Sequence, residues 1–410
     1  MHVSRFSVPR RLGDWLSAPR AAAIGQAAAL AQATLLVLLA LFQHGLLPGT
    51  AESPTASDFV SFYAAGKLAL AGTPALAYDQ AAHYAMEQHF APAGAPYQFF
   101  FYPPVFLLLF APIAALPYGV AFFGFEAATF AAFLWVARRI VGTADRTWIG
   151  AVLAFPAIFW TIGLGQNAFL TAALFGGFTL ALRERPGVAG GLLGLVCYKP
   201  HFGLLVPIAL LCGGHWRAFF AAGATVVGLV GLSAGLFGVE TWRAYLLAFA
   251  EADSVYATGR IDYAGMISVF GAARLMGFAP SVAYPVQICA SLIAAGLVVW
   301  GWRRTEAFPA RVALLLAATM LAVPMAILYD KMLLLVAMAW LARQARTDGF
   351  SGREKILLIS VYLTSLLDYA AGAAWAVPLG PAASLAVLAV AVHRLSPRPL
   401  TIRVGAVAAA

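Results

Sequence analysis

Apolar runs about as long as a bilayer is thick recur along almost the whole of this 410-residue chain, the first of them from Ala22 to Gly45. About 20 apolar residues suffice for a helix to cross the hydrocarbon core of a membrane. Hydrophobic residues make up 62% of the chain and charged residues 10%, whereas a soluble globular domain carries about 25% charged residues. The sequence therefore predicts an all-α, polytopic bundle of transmembrane helices and excludes a soluble globular fold.

Arginine lies in short clusters between the apolar runs of this basic chain, whose net charge is +9. Such clusters are typical of the cytoplasmic loops of membrane proteins. No basic face with interleaved aromatic residues forms, so nucleic acid is not expected as a partner. The first apolar run is longer than the core of a cleaved signal sequence, so we expect a retained first helix that follows a cytoplasmic N-terminus, residues 1–21.

The arginine clusters also give an expected path of the chain through the membrane. About 10–12 crossings place both termini in the cytoplasm, with residues 393–410 as a cytoplasmic tail. Residues 45–101 form a long first outer loop, and residues 102–392 form the rest of the bundle. Within the loop, residues 59–71 and 80–90 have few helix breakers and a mixed apolar face, which predicts two short helices lying on the membrane surface.

The apolar run that begins at Tyr102 and ends before Arg138 is much longer than one crossing requires. Its first part, residues 102–117, contains four prolines. In one interpretation this part dips into the bundle as a broken half-helix, and residues 118–137 alone span the membrane. Irregular backbone is tolerated there only where protein or a watery cavity surrounds it. The other interpretation is two full spans, and the first is favoured because it keeps the following arginines inside.

Five polar interruptions fall at the outer membrane face along this path, and two of them adjoin unusually short apolar segments. They are Asp58, Tyr102, Gln166-Asn167, Lys199-Pro200-His201 and Tyr329-Asp330-Lys331. Membrane proteins tend to build binding sites where helices are short or interrupted. We therefore expect these residues to meet in a single outward-facing cavity.

Each polar residue has a structural interpretation beside the functional one. Asp58 stands where its side chain could cap a helix, or it could act as the general base for an acceptor hydroxyl. The spacing alone favours the helix cap. Lys199 lies inside an apolar run, and a lysine within a membrane segment indicates a functional site. Binding of a phosphate is favoured over the alternative, in which the side chain extends to the membrane interface. For Gln166 and Asn167, helix capping and binding to sugar hydroxyls or phosphate are equally supported.

Other charged residues give weaker signals. Asp330 and Lys331 are adjacent at a span boundary, and mutual neutralisation is the favoured interpretation. Glu126 and Asp368 lie within apolar runs and have no assigned role. The histidines of the outer loop lack the spacing of metal ligands, so no metal site is expected.

Four stretches of the first half of the chain together resemble glycosyltransferase family 87, a GT-C-type family of integral membrane enzymes. They read SDFxxFYxAGK, YPPxFxLLFAPxAxLP, GQNxxLxxxL and AGGLLGLxxxKP, at Ser57–Lys67, Tyr102–Pro117, Gly165–Leu174 and Ala189–Pro200. The family includes mannosyltransferases that use polyprenyl-phosphate mannose. The resemblance implies a GT-C-like bundle and an inverting hexosyltransferase of the plasma membrane whose active site faces the periplasm or exterior.

The resemblance also implies roles for particular residues. Asp58 is the expected general base, and Lys199, with Gln166, is expected to hold the phosphate of a polyprenyl-phosphate sugar. Further residues are expected to bind the donor or a lipid or glycan acceptor: Tyr63, Lys67, Tyr102, Asn167, His201, Tyr329 and Asp330. No nucleotide or metal cofactor is expected, because the lipid phosphate itself is the leaving group.

One departure leaves the sugar open. Many members of the family carry a Ser-Pro-His-like run before a late span, whereas this chain reads AVPMAILYDKMLLL, with Pro324 but no histidine. Mannose is therefore the expected sugar without being fixed by the sequence.

Two other functions remain open. A transporter or lipid flippase also uses many spans with broken helices, although carriers rarely need an outer loop of this length. An assembly factor without catalysis would tolerate replacement of Asp58 and Lys199.

Overall fold

The computed structural model describes residues 18–43, 57–92, 94–143, 147–258, 261–304 and 307–396. Most of the predicted cytoplasmic N-terminus, the first part of the predicted outer loop and most of the predicted C-terminal tail lie outside the described residues.

The described residues form a bundle of α-helices joined by turns and short 3₁₀ segments, and they contain no β-strand. The prediction of an all-α polytopic bundle is confirmed. The helices are α1 Ala18–Gln43, α2 Phe59–Leu70, α3 Gln80–Glu87, α4 Leu107–Ala114, α5 Tyr118–Val141, α6 Thr147–Leu153, α7 Pro156–Leu164, α8 Ala168–Ala181, α9 Pro186–Gly194, α10 Val206–Cys212, α11 Trp216–Phe237, α12 Val239–Ala257, α13 Val269–Leu275, α14 Pro280–Trp302, α15 Phe308–Ala322, α16 Met332–Asp348, α17 Gly352–Trp375 and α18 Gly380–Leu395.

Five of these helices, α1, α5, α11, α14 and α17, are long and apolar enough to cross a membrane. Seven further apolar helical segments within the described residues have only 10–17 residues. The expected 10–12 crossings exceed the five long helices, so this number stays a prediction.

Proline and glycine set several helix boundaries. Helices α7, α9 and α14 begin at Pro156, Pro186 and Pro280, where a fixed φ suits the first helical residue and no amide hydrogen is missed. Helix α5 ends before Gly142, whose φ of 66° is left-handed and therefore stops the helix.

Arginine contacts define one end of the bundle, here named the arginine end. Arg343 donates to the backbone oxygens of Arg139 and Ile140 at 3.3 and 3.2 Å, which joins the end of α16 to the end of α5. Arg394, at the end of α18, donates to Glu354 at the start of α17 at 2.7 Å. Cations at helix C-termini satisfy free carbonyls and complement the helix dipole.

The segment 102–117 begins and ends at the opposite end of the bundle. The Tyr102 ring lies 5.1 Å from the Phe62 ring, and the Tyr118 ring lies 5.7 Å from the Phe59 ring. Both contacts are therefore made to the first turns of α2. The segment holds only a 3₁₀ turn and the short helix α4, which packs on α2. Helix α5 alone continues to the arginine end, which favours the single-crossing interpretation.

Helices α15 and α16 form the centre of the bundle. Every residue of α15 from Ala310 to Ala322 is buried, as is every residue of α16 from Met332 to Leu341. The backbone between them, from Val323 to Lys331, includes a 3₁₀ turn at the end opposite the arginines. The predicted break at Lys199-Pro200-His201 is also present, because α9 and α10 are separated there by two 3₁₀ turns.

Helices α2 and α3 form close to the predicted positions, but α2 does not lie on a membrane surface. Residues from Phe59 to Ala65 are each at most 1% exposed. Apolar and small side chains occur on every face of this helix, so α3, α4 and the turn at Pro74–Tyr78 pack around it. The prediction of a surface position failed because a helix that is apolar on all sides is buried by protein.

Candidate active site

A cavity of about 240 Å³ lies at the end of the bundle opposite the arginine end. It is formed where α2 begins, where α7 gives way to α8, and where the two interrupted segments at Lys199 and at Asp330 approach each other. Seven residues that the sequence assigns to a site line it: Asp58, Tyr102, Gln166, Lys199, His201, Tyr329 and Asp330.

Asp58 stands at the capping position of α2, yet its side chain makes no capping hydrogen bond. One carboxylate oxygen, Oδ2, instead accepts from Nε2 of Gln166 at 2.7 Å. The backbone amide of Asp58 donates to the oxygen of Leu164 at 2.8 Å, which ties the start of α2 to the end of α7. Burial raises the pKa of Asp58 to about 6, although the Gln166 hydrogen bond and the charge of Lys199 both lower it.

The turn between α7 and α8 places Gln166 against Asp58. Gly165 has a φ of 66°, and a Cβ at this position would lie 2.8 Å from atoms of Phe59 and of Phe122. The close approach of this turn to α2 therefore requires glycine. Like Asp58, Asn167 occupies a capping position without capping: its Nδ2 donates to the Tyr102 hydroxyl at 2.9 Å.

Lys199 is buried and bonded to an aspartate from a distant part of the chain. Its Nζ donates to Oδ1 of Asp330 at 2.9 Å, and it lies over the Tyr329 ring at 5.1 Å from the centroid. The second oxygen of Asp330, Oδ2, accepts from the backbone amide of Ile327 at 3.0 Å. Lys199 therefore does not reach for a membrane interface; it belongs to the wall of the cavity.

The predicted neutralisation of Asp330 by Lys331 does not occur. Lys331 is bonded instead to Asp368 of α17, and both side chains are buried. Adjacent residues in a 3₁₀ turn point in different directions, so Asp330 faces the cavity while Lys331 faces α17. Two buried ion pairs therefore lie side by side across this part of the bundle.

Three other predicted site residues lie away from the cavity lining. Asn167 is buried behind it and contacts two of its lining residues, Tyr102 through the side chain and Gln166 through the backbone amide. Tyr63 donates its hydroxyl to the oxygen of Leu116 at 2.7 Å, and Lys67 lies over the Tyr63 ring. Substrate contacts by Tyr63 and Lys67 stay predictions that this geometry does not support.

Several lining residues have no counterpart among the predicted ones: Ser61, Gln98, Tyr198, Tyr245 and Phe249. Tyr198 directly precedes Lys199, and Gln98 is a polar residue next to an aromatic run, so both carried a weak local signal. Tyr245 and Phe249 belong to α12, whose approach to the cavity depends on the tertiary fold.

An apolar groove of about 310 Å³ adjoins the cavity. Tyr198 lines both, and the Phe106 ring stacks on Tyr198 at 5.2 Å and on Tyr102 at 4.4 Å. Leu109 and Leu195, on the groove, are 36% and 42% exposed. The groove thus connects the cavity to the outer apolar surface of the bundle.

The chain matches the model of glycosyltransferase family 87 over residues 100–328, which is more than half of its 410 residues. Comparison with curated proteins and with solved structures gave no match. The matched region contains Tyr102, Gln166 and Lys199, whereas Asp58 and Asp330 lie outside it. The fold brings these two carboxylates next to the segment that the family model matches.

An apolar helical bundle with this match has both the fold and the family that the sequence motifs indicated. The chain belongs to glycosyltransferase family 87 and is accordingly a membrane glycosyltransferase.

Proposed function

We propose that this protein transfers a hexose, with mannose as the expected sugar, from a polyprenyl-phosphate donor to a hydroxyl of a lipid or glycan acceptor. The observation that carries the proposal is the pairing of Asp58 and Lys199 on the wall of one cavity. A carboxylate suits the acceptor hydroxyl and an ammonium suits the donor phosphate. Family membership favours this enzyme over the transporter that the sequence left open.

In the proposed reaction Asp58 takes the proton of the acceptor hydroxyl while the oxygen attacks the anomeric carbon. The bond from that carbon to the phosphate oxygen breaks, and polyprenyl phosphate leaves with the bonding electrons. Attack opposite the leaving group inverts the anomeric centre, so one base suffices and no covalent sugar–enzyme intermediate forms. Within the described part of the chain, Oδ1 of Asp58 accepts no hydrogen bond and is available for this proton.

Lys199 stabilises the leaving phosphate in this proposal. The phosphate gains negative charge as the sugar departs, and a fixed cation in a site with little water lowers the energy of that state. Asp330 holds the Lys199 ammonium in place, since its carboxylate is anchored to the backbone at Ile327. His201 and Tyr329, which also line the cavity, then contact the donor or the acceptor.

The apolar groove suits the polyprenyl chain. Its lining is almost entirely leucine, valine and phenylalanine, and it reaches the exposed apolar surface. A lipid tail there leaves the phosphate near Tyr198, next to Lys199. By the positive-inside rule the arginine end is cytoplasmic, so the cavity faces the outside of the plasma membrane. No metal or nucleotide is required by this chemistry.

The test is sugar transfer by the purified protein in lipid nanodiscs onto a membrane extract. Synthetic polyprenyl-phosphate mannose, glucose and arabinose are compared with the corresponding nucleotide sugars. We expect transfer from a lipid-linked hexose, mannose or glucose, and none from the lipid-linked pentose arabinose or from nucleotide sugars. Transfer from a nucleotide sugar in lipid-free detergent would overturn it.

A further inference from the structure

We propose that Tyr102 and Asn167 are positioning residues, which act through Gln166 to fix the Asp58 carboxylate with Oδ2 held and Oδ1 facing the acceptor. The inference rests on the proposed role of Asp58 as base. In this inference the Gly165-Gln166-Asn167 turn orients the base, whereas the sequence led us to expect that it binds phosphate.

The hydrogen bonds of this chain have a defined direction. The backbone amide of Asn167 donates to Oε1 of Gln166 at 3.3 Å, and the Tyr102 hydroxyl lies 3.5 Å from the same oxygen. With two donors on Oε1, the amide nitrogen of Gln166 must face Asp58, to which it donates at 2.7 Å. A carboxylate only accepts, so this is the amide orientation that satisfies both sides.

Asn167 sets the direction of the tyrosine hydroxyl. Its Nδ2 donates to the Tyr102 oxygen at 2.9 Å, which leaves the Tyr102 proton free to point toward Gln166. The reverse orientation of Asn167 would draw the tyrosine proton away from Gln166. In the observed orientation Oδ1 of Asn167 is buried and finds no hydrogen-bond partner among the described residues. Asn167 is fully buried and Gln166 is 4% exposed, so the chain is built into the protein interior.

Packing keeps the chain rigid. The Tyr102 ring stacks on Phe106 with centroids 4.4 Å apart, and the required glycine at residue 165 brings the turn against α2. Rigid support of this kind is what holds a reactive group in its productive geometry.

Five titratable groups influence Asp58 or its partner Tyr102. Lys199, across the cavity, lowers the pKa of Asp58, and the hydrogen bond from Gln166 lowers it as well. Glu87 of α3 and Tyr102 also interact electrostatically with Asp58, and Asp330 and Tyr198 interact with Tyr102. Loss of the Gln166 donor removes one of the two influences that keep Asp58 ionised, so its pKa rises.

The test compares pH profiles of kcat/KM for transfer, since the acid limb reports the essential base of the free enzyme. Gln166→Leu is expected to move the acid limb upward by about one pH unit. Tyr102→Phe, which keeps the stacked ring and removes only the hydroxyl, is expected to move it in the same direction by less. Asn167→Ala is expected to resemble Tyr102→Phe.

Tyr198→Phe is the matched control. Tyr198 is also a buried cavity tyrosine, and its ring lies 6.4 Å from the Tyr102 ring, but its hydroxyl pairs with Thr171 at 2.7 Å and not with Tyr102, Gln166 or Asp58. Its variant is expected to keep the wild-type acid limb. An equal shift in Tyr198→Phe, or no shift in both Tyr102→Phe and Asn167→Ala, would overturn the inference.

The two proposals fail differently. If Asp58→Asn is inactive while the chain variants keep the wild-type profile, Asp58 stays the base and only its positioning is refuted. If Asp58→Asn is active, the proposed function of Asp58 fails, and the inference with it. Tyr102→Phe keeps the test decisive even where Gln166→Leu does not fold.

Discussion

At the scale of single residues, His83 and Glu87 form a buried pair one helical turn apart on α3. His83 Nε2 donates to the Ser61 oxygen at 3.0 Å, and His83 Nδ1 lies 3.5 Å from Glu87 Oε1. Burial lowers the pKa of His83 to about 4 and raises that of Glu87 to about 8. At neutral pH both side chains are therefore uncharged, and the pair is a neutral contact instead of a salt bridge.

This assignment predicts a pH-dependent stability. Glu87 keeps its proton in the folded state up to about pH 8 but loses it near its ordinary value of 4.5 when unfolded. The contribution of Glu87 to the stability of the folded state is thus fully present below about pH 4.5 and is lost as the pH rises toward 8. Glu87→Gln cannot titrate, so its Tm advantage over wild type should grow from pH 5 to pH 8 and then level off.

Thermal unfolding in detergent between pH 5 and pH 9 measures this difference. His83 is present in both proteins, so its own titration cancels in the comparison. Glu240→Gln, on an exposed carboxylate, serves as control and should leave the pH dependence of wild type unchanged. A Tm difference between Glu87→Gln and wild type that is constant with pH would contradict the neutral pair.

Residue types at the site could be predicted from the sequence, but their partners could not. Asp58, Gln166 and Lys199 stand out because polar residues interrupt apolar runs. That Lys199 bonds Asp330, 131 residues away, has no local signal, and neighbouring Lys331 offered a nearer partner. The capping interpretation of Asp58 was wrong because Gln166 approaches from the turn between α7 and α8 and binds the carboxylate.

At the scale of elements, two buried ion pairs tie interrupted segments together. The first, Lys199–Asp330, lines the cavity, and the second, Lys331–Asp368, does not. Removing one partner of a buried pair leaves an uncompensated charge and costs about 3–5 kcal/mol, whereas replacing both by apolar residues is often neutral. The two pairs therefore allow structural and catalytic roles to be separated.

Paired replacements should give different outcomes at the two positions. Asp330→Leu and Asp368→Leu alone should each lower the Tm markedly. The double variants Lys199→Met with Asp330→Leu, and Lys331→Met with Asp368→Leu, should each recover most of the lost Tm. Transfer should stay absent in the first double variant and return in the second. Equal activity in both double variants would contradict the assignment of Lys199 to the phosphate.

Short and broken elements could be predicted from their prolines, as at Lys199-Pro200 and in residues 102–117. The burial of α2 could not. A predicted surface helix and a buried one share the same propensities, and only the packing of α3 and α4 around α2 distinguishes them.

At the scale of the whole molecule, the arginine end and the cavity end should lie on opposite sides of the membrane. The three native cysteines are first replaced, and single cysteines are then introduced. Glu240→Cys marks the cavity end, because Glu240 is exposed and shortly precedes the cavity residue Tyr245 on α12. A cysteine at exposed Thr347, next to Arg346, marks the arginine end. The positive-inside rule predicts labelling of the first by an impermeant maleimide in intact cells and of the second only after permeabilisation. The reverse pattern would place the cavity in the cytoplasm.

The class of fold follows from composition and apolar run length, since the bilayer leaves helices as the only option for such a chain. The buried central position of α15 and α16 does not follow, because lipid-facing and protein-facing apolar helices have similar sequences. The gathering of distant polar segments at one end could be predicted from arginine placement, which fixes the direction of each segment.

Both proposals depend on Asp58 acting as the base for sugar transfer. The most direct test of this role is the transfer rate of Asp58→Asn, measured with the donor Kd in the same nanodisc preparation. Asp79→Asn is the matched control, because Asp79 in the same loop does cap its helix, accepting from the Ala82 amide at 2.8 Å. We expect a fall of about 10²- to 10⁴-fold for Asp58→Asn, with unchanged donor affinity, and a near-wild-type rate for Asp79→Asn. A wild-type transfer rate in Asp58→Asn would contradict this role.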